Sequence, residues 1–293
     1  MDREENPQKT LAIFGVEGFL GQQAYIQTTS PEFQKKHNWK VIGVSKRKHP
    51  FSSFIIDITY KNNLQNFLKS QRIDYVLWYA AKSIPSFSTD NESEVFKINV
   101  LPLHSVFEVL EPTTVFLYPS SRHVYAKSHQ KHSEDSDVSA QSVYARHKLQ
   151  SERIVLESSV NSIVVRNFNF IGPNPVPLTF MHDVLGQLGN AEIEVFNQNQ
   201  ILDVVDIRDG VRAHLHLLTA SNRHHRIYNV CRGFGVSIEK VVQKIISNDV
   251  GIVSKYPVDN PPIVGDSIRL ESTGFQFLYD LDDTIRCILS VSS

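Results

Sequence analysis

The residues in this sequence whose spacing most clearly suggests chemistry are Tyr144 and Lys148, four positions apart in "SVYARHK". The segment begins a stretch with an amphipathic helical pattern, so both side chains are expected on one helix face. A free tyrosine has a pKa of about 10 and is a poor acid-base catalyst at neutral pH. A neighbouring ammonium favours the phenolate and lowers that pKa towards the working range. The pair predicts a tyrosine catalyst assisted by a lysine, although such a pair taken alone is usually structural.

A hydroxyl group that could work with this pair is found in "TVFLYPSS", an apolar segment that is predicted to be a strand. Its last residues, Ser120 and Ser121, would lie at the carboxyl edge of a parallel sheet, where doubly wound folds bind their ligands. A serine hydroxyl at that edge can orient the substrate oxygen. The strand end therefore predicts a second member of the catalytic group.

Glycines at positions 15, 18 and 21 form the turn "GVEGFLG" between a predicted strand, "TLAIF", and a predicted helix. Such a turn lets the backbone approach a pyrophosphate, and the helix N-terminus offers unpaired N–H groups. Glycines could also serve only to pack a helix closely on a strand. Their position between strand and helix near the chain start favours a dinucleotide site.

The second predicted strand, "KVIGVSKR", ends in Ser45, Lys46 and Arg47. A carboxylate at this place would bind the ribose 2′-hydroxyl of NAD. Two cations suit the 2′-phosphate of NADP instead, so NADP(H) is predicted over NAD(H); the alternative is a solvated basic turn. Asp57, which closes the third strand, is predicted to accept from the adenine amino group or to initiate a turn.

The elements that must position these residues alternate along the first half of the chain. Strands that are apolar throughout, including "FIIDI" and "DYVLWYAA", are separated by helix-like stretches such as "NLQNFLKSQ". This order predicts an α/β fold with a doubly wound parallel (Rossmann) sheet and a smaller mixed α/β substrate-binding lobe. We place an NAD(P)-binding domain at residues 1–168 and the lobe mainly at 169–293, with some segments returning to the first domain.

The bulk composition is that of an ordinary globular protein: 293 residues, 41% apolar, 21% charged, and a formal net charge of -1. No basic stripe suggests nucleic acid. The polar start "MDREENPQK" lacks a secretory signal, and no apolar run is long enough to cross a membrane, so a cytoplasmic protein is expected. Cys231, Cys287 and the histidines of "SNRHHR" lack metal-ligand spacing, and no metal is predicted.

Taken together, "GVEGFLG", "SSRHVY" and "YARHK" resemble the cofactor turn, serine and Tyr-x-x-x-Lys of the extended short-chain dehydrogenase/reductase family, in the same order and at similar separations. The later segments "RNFNFIGP", "VDIRDGVRAHLHLL" and "PPIVGDSIRLESTGF" resemble its nucleotide-sugar branch, most closely the GDP-4-keto-6-deoxymannose reductases. The resemblance implies an NAD(P)-dependent oxidoreductase acting on a nucleotide-diphosphate sugar. It makes Tyr144 the proton donor or acceptor, has Lys148 tune it and hold the nicotinamide ribose, and has Ser121 bind the reacting oxygen.

The resemblance also completes the predicted sites. The predicted catalytic residues are Ser121, Tyr144, Lys148 and His123. The predicted cofactor-binding residues are Gly15, Gly18, Phe19, Leu20, Gly21, Ser45, Lys46, Arg47, Asp57, Ile58, Ala80, Ala81, Lys82, Asn99, Tyr144 and Lys148. The predicted substrate-binding residues are Ser83, Ser121, Arg122, His123, Asn169 and Arg208.

The sequence departs from the nucleotide-sugar pattern where phosphate is usually bound. Leu202 stands where the branch has an arginine that grips a phosphate, and Tyr256 replaces a later phosphate-binding arginine. Lys255 or Arg208 could compensate. Losing a bidentate clamp is not a conservative change, so the nucleotide base stays open.

The two residues after Ser121 bear on the reaction. Dehydratases of this type place Asp and Glu there to move protons, whereas this chain has Arg122 and His123, which disfavours dehydration. In related epimerase-reductases the position of His123 holds an acid-base residue. The predicted function is NADPH-dependent reduction of a nucleotide-linked 4-keto-6-deoxy hexose or heptose in glycan precursor biosynthesis.

Two other functions remain open at this stage. One is a nucleotide-sugar 4-epimerase, or epimerase-reductase, with bound NAD(P). The other is a non-catalytic cofactor-binding sensor or partner subunit. The family's habit of pairing two helices per subunit predicts a homodimer formed through residues 93–110 and 143–157.

Overall fold

The computed structural model describes residues 8–82, 92–175, 179–247, 249–256, 258 and 260–292. The chain forms two compact units, one made of residues 1–119 and 147–164 and the other of residues 120–146 and 165–293. The assignment of cofactor and substrate to domains 1–168 and 169–293 stays a prediction.

Alternating strands and helices make up the first unit. Its elements are β1 (Thr10–Phe14), α1 (Phe19–Thr29), α2 (Pro31–His37), β2 (Lys40–Ser45), β3 (Phe54–Ile55), α3 (Lys61–Ser70), β4 (Tyr75–Trp78), α4 (Glu92–Asn99) and α5 (Leu101–Phe107). Three elements run across the division between the units: β5 (Val115–Ser121), α6 (Val143–Glu157) and β6 (Asn161–Asn167).

The second unit has shorter elements in a mixed order. They are β7 (Asn169–Ile171), α7 (Phe180–Leu185), β8 (Glu192–Val195), β9 (Ile201–Leu202), β10 (Val204–Asp206), α8 (Ile207–Thr219), β11 (Ile227–Val230), β12 (Val236–Ser237), α9 (Ile238–Gln243), β13 (Gly251–Ser254), α10 (Ile268–Glu271) and α11 (Leu281–Ser292). Three two-stranded pairs, β7 with β10, β9 with β12 and β8 with β13, replace a large sheet here.

Seven strands form the central sheet in the order β11-β6-β5-β4-β1-β2-β3. β1 pairs in parallel with both β2 and β4, and every residue of β1 is buried because helices cover the sheet. The predicted doubly wound α/β fold is confirmed. In such a sheet the carboxyl ends of neighbouring strands meet at one edge, which is where the ends of β1, β2 and β4 lie.

The helical stretch predicted at residues 93–110 is divided in the structure. α4 ends at Asn99 and α5 begins at Leu101, with Pro102 in its first turn. Proline lacks an N–H group and clashes with the preceding turn, so it begins a new helix more readily than it continues one. The stretch predicted at 143–157 is one helix, α6. No helix among the described residues is both long and apolar enough to span a membrane.

Candidate functional site

The glycine turn between β1 and α1 contains glycines of two kinds. Gly15 has a φ of +77°, and a Cβ there would lie 2.7 Å from the backbone nitrogen of Ala80. A Cβ on Gly21 would lie 2.1 Å from the carbonyl oxygen of Gly15. Gly18, the N-cap of α1, would bring its Cβ no closer than 3.4 Å to that same oxygen. Packing within the protein therefore requires glycine at 15 and 21 but not at 18.

A cleft of about 400 Å³ lies in the first unit, beside this turn. The predicted cofactor residues that line it are Gly15, Gly18, Ser45, Lys46, Arg47, Asp57, Ile58, Ala80, Ala81 and Lys82. Sequence reasoning missed the other lining residues, Phe14, Glu17, Val44, Ile56, Thr59, Tyr79 and Ile98. The strand ends and turns named in the sequence thus surround one cavity of the size that small ligands occupy.

The remaining predicted cofactor residues do not line this cleft; they are Phe19, Leu20, Gly21, Asn99, Tyr144 and Lys148. Asn99 is buried, and its side chain accepts from the backbone N–H of Lys82 at 2.7 Å and donates to the carbonyl of Lys82 at 3.1 Å. It therefore holds one wall of the cleft in place.

The basic end of the cleft also contains two carboxylates. Lys46 pairs with Asp57, whose Oδ2 lies 2.9 Å from the lysine Nζ. Partial burial raises the pKa of Asp57, but the hydrogen bonds from Lys46 and Thr59 outweigh it and leave that pKa below its ordinary value. Among the described residues, the exposed Arg47 forms no ion pair. Arg47 is therefore the cation here that lacks a carboxylate partner within the described chain.

Glu17 is the second carboxylate. Its Oε1 accepts from the backbone N–H of Lys46 at 3.3 Å, and its Oε2 is buried with no hydrogen-bond partner among the described residues. The only signal in the sequence was an acidic residue inside the glycine turn itself. Glu17 is distant in sequence from the end of β2, where an acid that binds the ribose is expected, so the sequence pattern does not predict it.

Ser121 and Tyr144, both in the second unit, form the candidate catalytic pair. Ser121 is the buried last residue of β5, and its side chain hydrogen-bonds that of Tyr144 near the start of α6. Burial raises the pKa of Tyr144, and the Ser121 bond and the positive charge of Arg122 offset only part of that shift. The sequence predicted a lowered pKa, whereas the structure holds a protonated phenol at neutral pH.

Lys148 lies one helical turn after Tyr144 and is buried. Its Nζ donates to the carbonyl oxygen of Pro119 at 2.6 Å and lies 4.8 Å from the centre of the Tyr118 ring. Burial lowers the pKa of Lys148 to about 8, although Glu152 acts in the opposite direction. Its ammonium is therefore close to titration at the upper end of the physiological pH range.

The polar residues around Ser121 differ in how firmly they are held. Arg122 donates through Nε to the side-chain oxygen of Asn169 at 3.0 Å, and the amide of Asn169 donates to the carbonyl of Asp203 at 2.9 Å. The His123 side chain is partly accessible to solvent, but nearby protein atoms desolvate its ring. This desolvation and the positive charge of Arg122 lower the pKa of His123, so the imidazole is neutral at pH 7. A neutral imidazole can accept a proton but has none to spare as an acid.

The other predicted substrate contacts are placed less favourably. Arg208 donates through Nε and Nη2 to the carboxylate of Asp206, at 2.9 and 2.7 Å, so its bidentate edge is already used and its substrate role stays a prediction. Ser83 lies outside the described residues.

Leu202 stands at the position where the nucleotide-sugar pattern has a phosphate-binding arginine. It is buried in an apolar cluster with Ile193 and Val242. That position therefore belongs to the core of the second unit.

No group of three or more His, Cys, Asp or Glu side chains among the described residues could hold a metal ion.

Residues 11–231 match the model of the NAD dependent epimerase/dehydratase family. Solved structures with the same fold include RMD from Pseudomonas aeruginosa, complexed with NADPH, at 22% identity and a TM-score of 0.81 over 97% of this chain and 99% of that one. MoeE5, in complex with UDP-glucuronic acid and NAD, is 21% identical with a TM-score of 0.81 over 97% and 98%. UDP-glucuronic acid 4-epimerase from Bacillus cereus is 18% identical with a TM-score of 0.82 over 97% and 98%.

Proposed function

The chain belongs to the NAD-dependent epimerase/dehydratase family, and on that premise we propose that it is an NADPH-dependent reductase of a nucleotide-linked 4-keto sugar. The observation that carries the proposal is the buried Ser121, hydrogen-bonded to a Tyr144 whose phenol stays protonated at neutral pH. A ketone that is reduced needs both an oriented oxygen and a proton donor, and this pair supplies them.

The cofactor cleft fits a dinucleotide for two reasons. Gly18 has no packing reason to be glycine, but a backbone that must approach a pyrophosphate does require one. Arg47 offers an exposed guanidinium for a 2′-phosphate at the end of β2, and Lys46 adds a second cation. These residues, with Asp57 towards the adenine and Lys148 towards the nicotinamide ribose, would hold NADPH. When bound, it supplies the hydride for the keto carbon.

The residues of the chain account for the proton. Ser121 donates a hydrogen bond to the keto oxygen and fixes its position, and Tyr144 gives its proton to that oxygen as negative charge develops there. The charge of Arg122, which already lowers the pKa of Tyr144, stabilises the resulting phenolate, and Lys148, one helical turn further along α6, would add to it. His123 stands where an acid-base residue would act if an epimerisation accompanied reduction, but its lowered pKa makes it a weak base for that step.

The resemblance extends the proposal to the substrate and the assembly. A 4-keto-6-deoxy hexose or heptose linked to a nucleoside diphosphate is the first class to test, in glycan precursor biosynthesis in the cytoplasm. Arg208 would contact its diphosphate side, whereas both ends of the Asn169 amide are already engaged, with Arg122 and with the carbonyl of Asp203. The protein would act as a homodimer.

The test is a change in NADPH absorbance in both directions. The forward assay uses GDP-, dTDP-, UDP- and CDP-linked 4-keto-6-deoxy sugars, each made in place by its dehydratase. The reverse assay uses NADP+ with stable nucleotide-linked hexoses and hexuronates. Reaction with one of them is expected and names the nucleotide. Tight NADPH binding without any reaction would reject the reductase and favour a cofactor-binding sensor.

A 4-epimerase is the second candidate, because the carboxylates of Glu17 and Asp57 lie at the end of the cleft where a ribose 2′-hydroxyl could be bound. Such an enzyme oxidises and reduces one carbon within a cycle and keeps its NAD. Denaturing the purified protein and analysing the released nucleotide separates the two functions. Stoichiometric NAD would support the epimerase, and its absence together with NADPH turnover would support the reductase.

A further inference from the structure

Arg122 is a part-buried cation that the protein itself holds in one position. It opens the short 3-10 turn Arg122–Val124 directly after Ser121. Its Nε donates to Asn169, whose amide is in turn fixed on the carbonyl of Asp203. The Nε of the guanidinium is therefore occupied, and no hydrogen-bond acceptor among the described residues engages the outer edge formed by Nη1 and Nη2.

Several other part-buried arginines of this unit pair with a carboxylate, although Arg223 donates to the backbone carbonyl of Leu217. Arg208 pairs with Asp206, Arg212 with Asp209 and Arg269 with Glu134. Within the described chain, no carboxylate pairs with Arg122; its charged form is favoured by the hydrogen bond to Asn169 and would be favoured by the negative charge of a Tyr144 phenolate. Burial lowers the pKa of Arg122 to about 10, so it remains charged at neutral pH. A desolvated charge without a counter-ion is unfavourable, which points to an anion brought by the ligand.

The place of that anion follows from the neighbours of Arg122. Ser121 is adjacent to Arg122 in the chain, and the charge of Arg122 lowers the pKa of Tyr144. In the proposed function, Ser121 and Tyr144 hold the reacting oxygen of the substrate. In a hexopyranose that reacts at carbon 4, the adjacent ring carbons are carbon 3, which carries a hydroxyl group, and carbon 5, which carries the carbon 6 substituent. The diphosphate is attached to carbon 1, on the opposite side of the ring. A carboxylate on carbon 5 is an acceptor that matches a guanidinium edge bidentately.

We propose that the sugar of the substrate is a hexuronic acid, and that Arg122 binds its carboxylate beside the reacting carbon. The inference rests on the proposed function and narrows it, because the carboxylate replaces the 6-methyl group expected from the family resemblance. Asn169 is then a positioning residue that holds the guanidinium.

The experiment measures binding, so it does not depend on turnover. Calorimetry on the NADP+-loaded protein would compare matched pairs: UDP-glucuronic acid with UDP-glucose, GDP-mannuronic acid with GDP-mannose, and dTDP-glucuronic acid with dTDP-glucose. Each pair differs only at carbon 6. In at least one pair, the acidic sugar is expected to bind about tenfold or more tightly than the neutral one, as for a hydrogen-bonded ion pair.

Variants then assign the preference to Arg122. Arg122→Gln is expected to remove it while leaving the affinity for the neutral sugar unchanged, and Arg122→Lys to restore part of it. Arg72→Gln, on an exposed arginine outside both sites, is the matched control. NADP+ affinity and the melting temperature show that each variant is folded.

Three results would overturn the inference. Equal affinity for acidic and neutral sugars, or no binding of any acidic sugar, would reject the hexuronic acid. An equal loss of affinity for both sugars of a pair and for the free nucleoside diphosphate in Arg122→Gln would place the arginine on the diphosphate.

A different result separates this inference from the proposed function. A protein that discriminates the carboxylate but shows no redox reaction would retain this inference and reject the reductase.

Discussion

At the scale of single residues, the proposed proton transfer would use the Tyr144 phenol, which burial keeps protonated and which Ser121 hydrogen-bonds. Replacing Tyr144 by Phe removes the acidic proton and little else. Turnover is expected to fall by about 10²–10⁴-fold, the usual contribution of a general acid. NADPH affinity, measured by fluorescence titration, should stay near the wild-type value. Tyr60→Phe, on an exposed tyrosine, is the control; full activity in Tyr144→Phe would reject the mechanism.

Lys148 sets the expected pH dependence. Because burial lowers its pKa to about 8, the ammonium is present below that pH and is lost above it. The value of kcat/KM, which reports groups of the free enzyme, should therefore be level near pH 7 and decline above about pH 8. Tyr144, with its raised pKa, adds no limb in this range. In Lys148→Arg the decline should move to higher pH, and an unchanged decline would assign it to another group.

In the proposed function, the choice between NADPH and NADH would depend on the balance between the charges of Arg47 and Glu17. Arg47→Gln is expected to weaken NADPH binding about tenfold, the order of one charged hydrogen bond, and to leave NADH binding unchanged. Glu17→Gln removes a carboxylate next to Lys46 and should strengthen NADPH binding. Lys48→Gln, on an exposed lysine outside the cleft, is the matched control. If Arg47→Gln weakened NADPH and NADH equally, the 2′-phosphate contact would be rejected.

At the scale of elements, the turn between β1 and α1 contains one glycine that packing requires, Gly21, and one that only cofactor binding is expected to require, Gly18. A Cβ at position 21 meets backbone at 2.1 Å, so Gly21→Ala should lower the free energy of unfolding by about 1–3 kcal/mol, as overpacking does. A Cβ at position 18 meets nothing closer than 3.4 Å, so Gly18→Ala should fold normally and bind NADPH weakly. Denaturant titration and cofactor titration of the two variants test this. Normal NADPH affinity in Gly18→Ala would place the pyrophosphate elsewhere.

At the scale of the whole molecule, the predicted homodimer should give twice the chain mass of 33.3 kDa in light scattering. On α6, the exposed residues Arg146, Gln150, Arg153 and Glu157 recur on one face and are all polar. A contact through that face would be polar, so Arg153→Glu should shift the protein towards the monomer, more strongly at low salt. A single-chain mass for the wild type at micromolar concentration would contradict the prediction.

The sequence by itself was enough to predict the fold and the strand ends that line the cleft of the first unit, because apolar strands that alternate with helices are compatible with few architectures. Glycines and serines at the carboxyl ends of those strands can be located without coordinates. The same reasoning placed Lys46, Arg47 and Asp57 near one another, since parallel strands end at a common edge.

Only the tertiary structure decided the charges within the sites. Glu17 reaches the end of β2 through folding, Lys46 is already paired with Asp57, and burial reverses the expected pKa shift of Tyr144. Arg122 was predicted from the sequence to bind substrate, but only the structure shows that Asn169 holds it and that no carboxylate within the described residues pairs with it. Desolvation and pairing depend on residues far apart in the chain, so the local patterns that predict strands and helices do not report them.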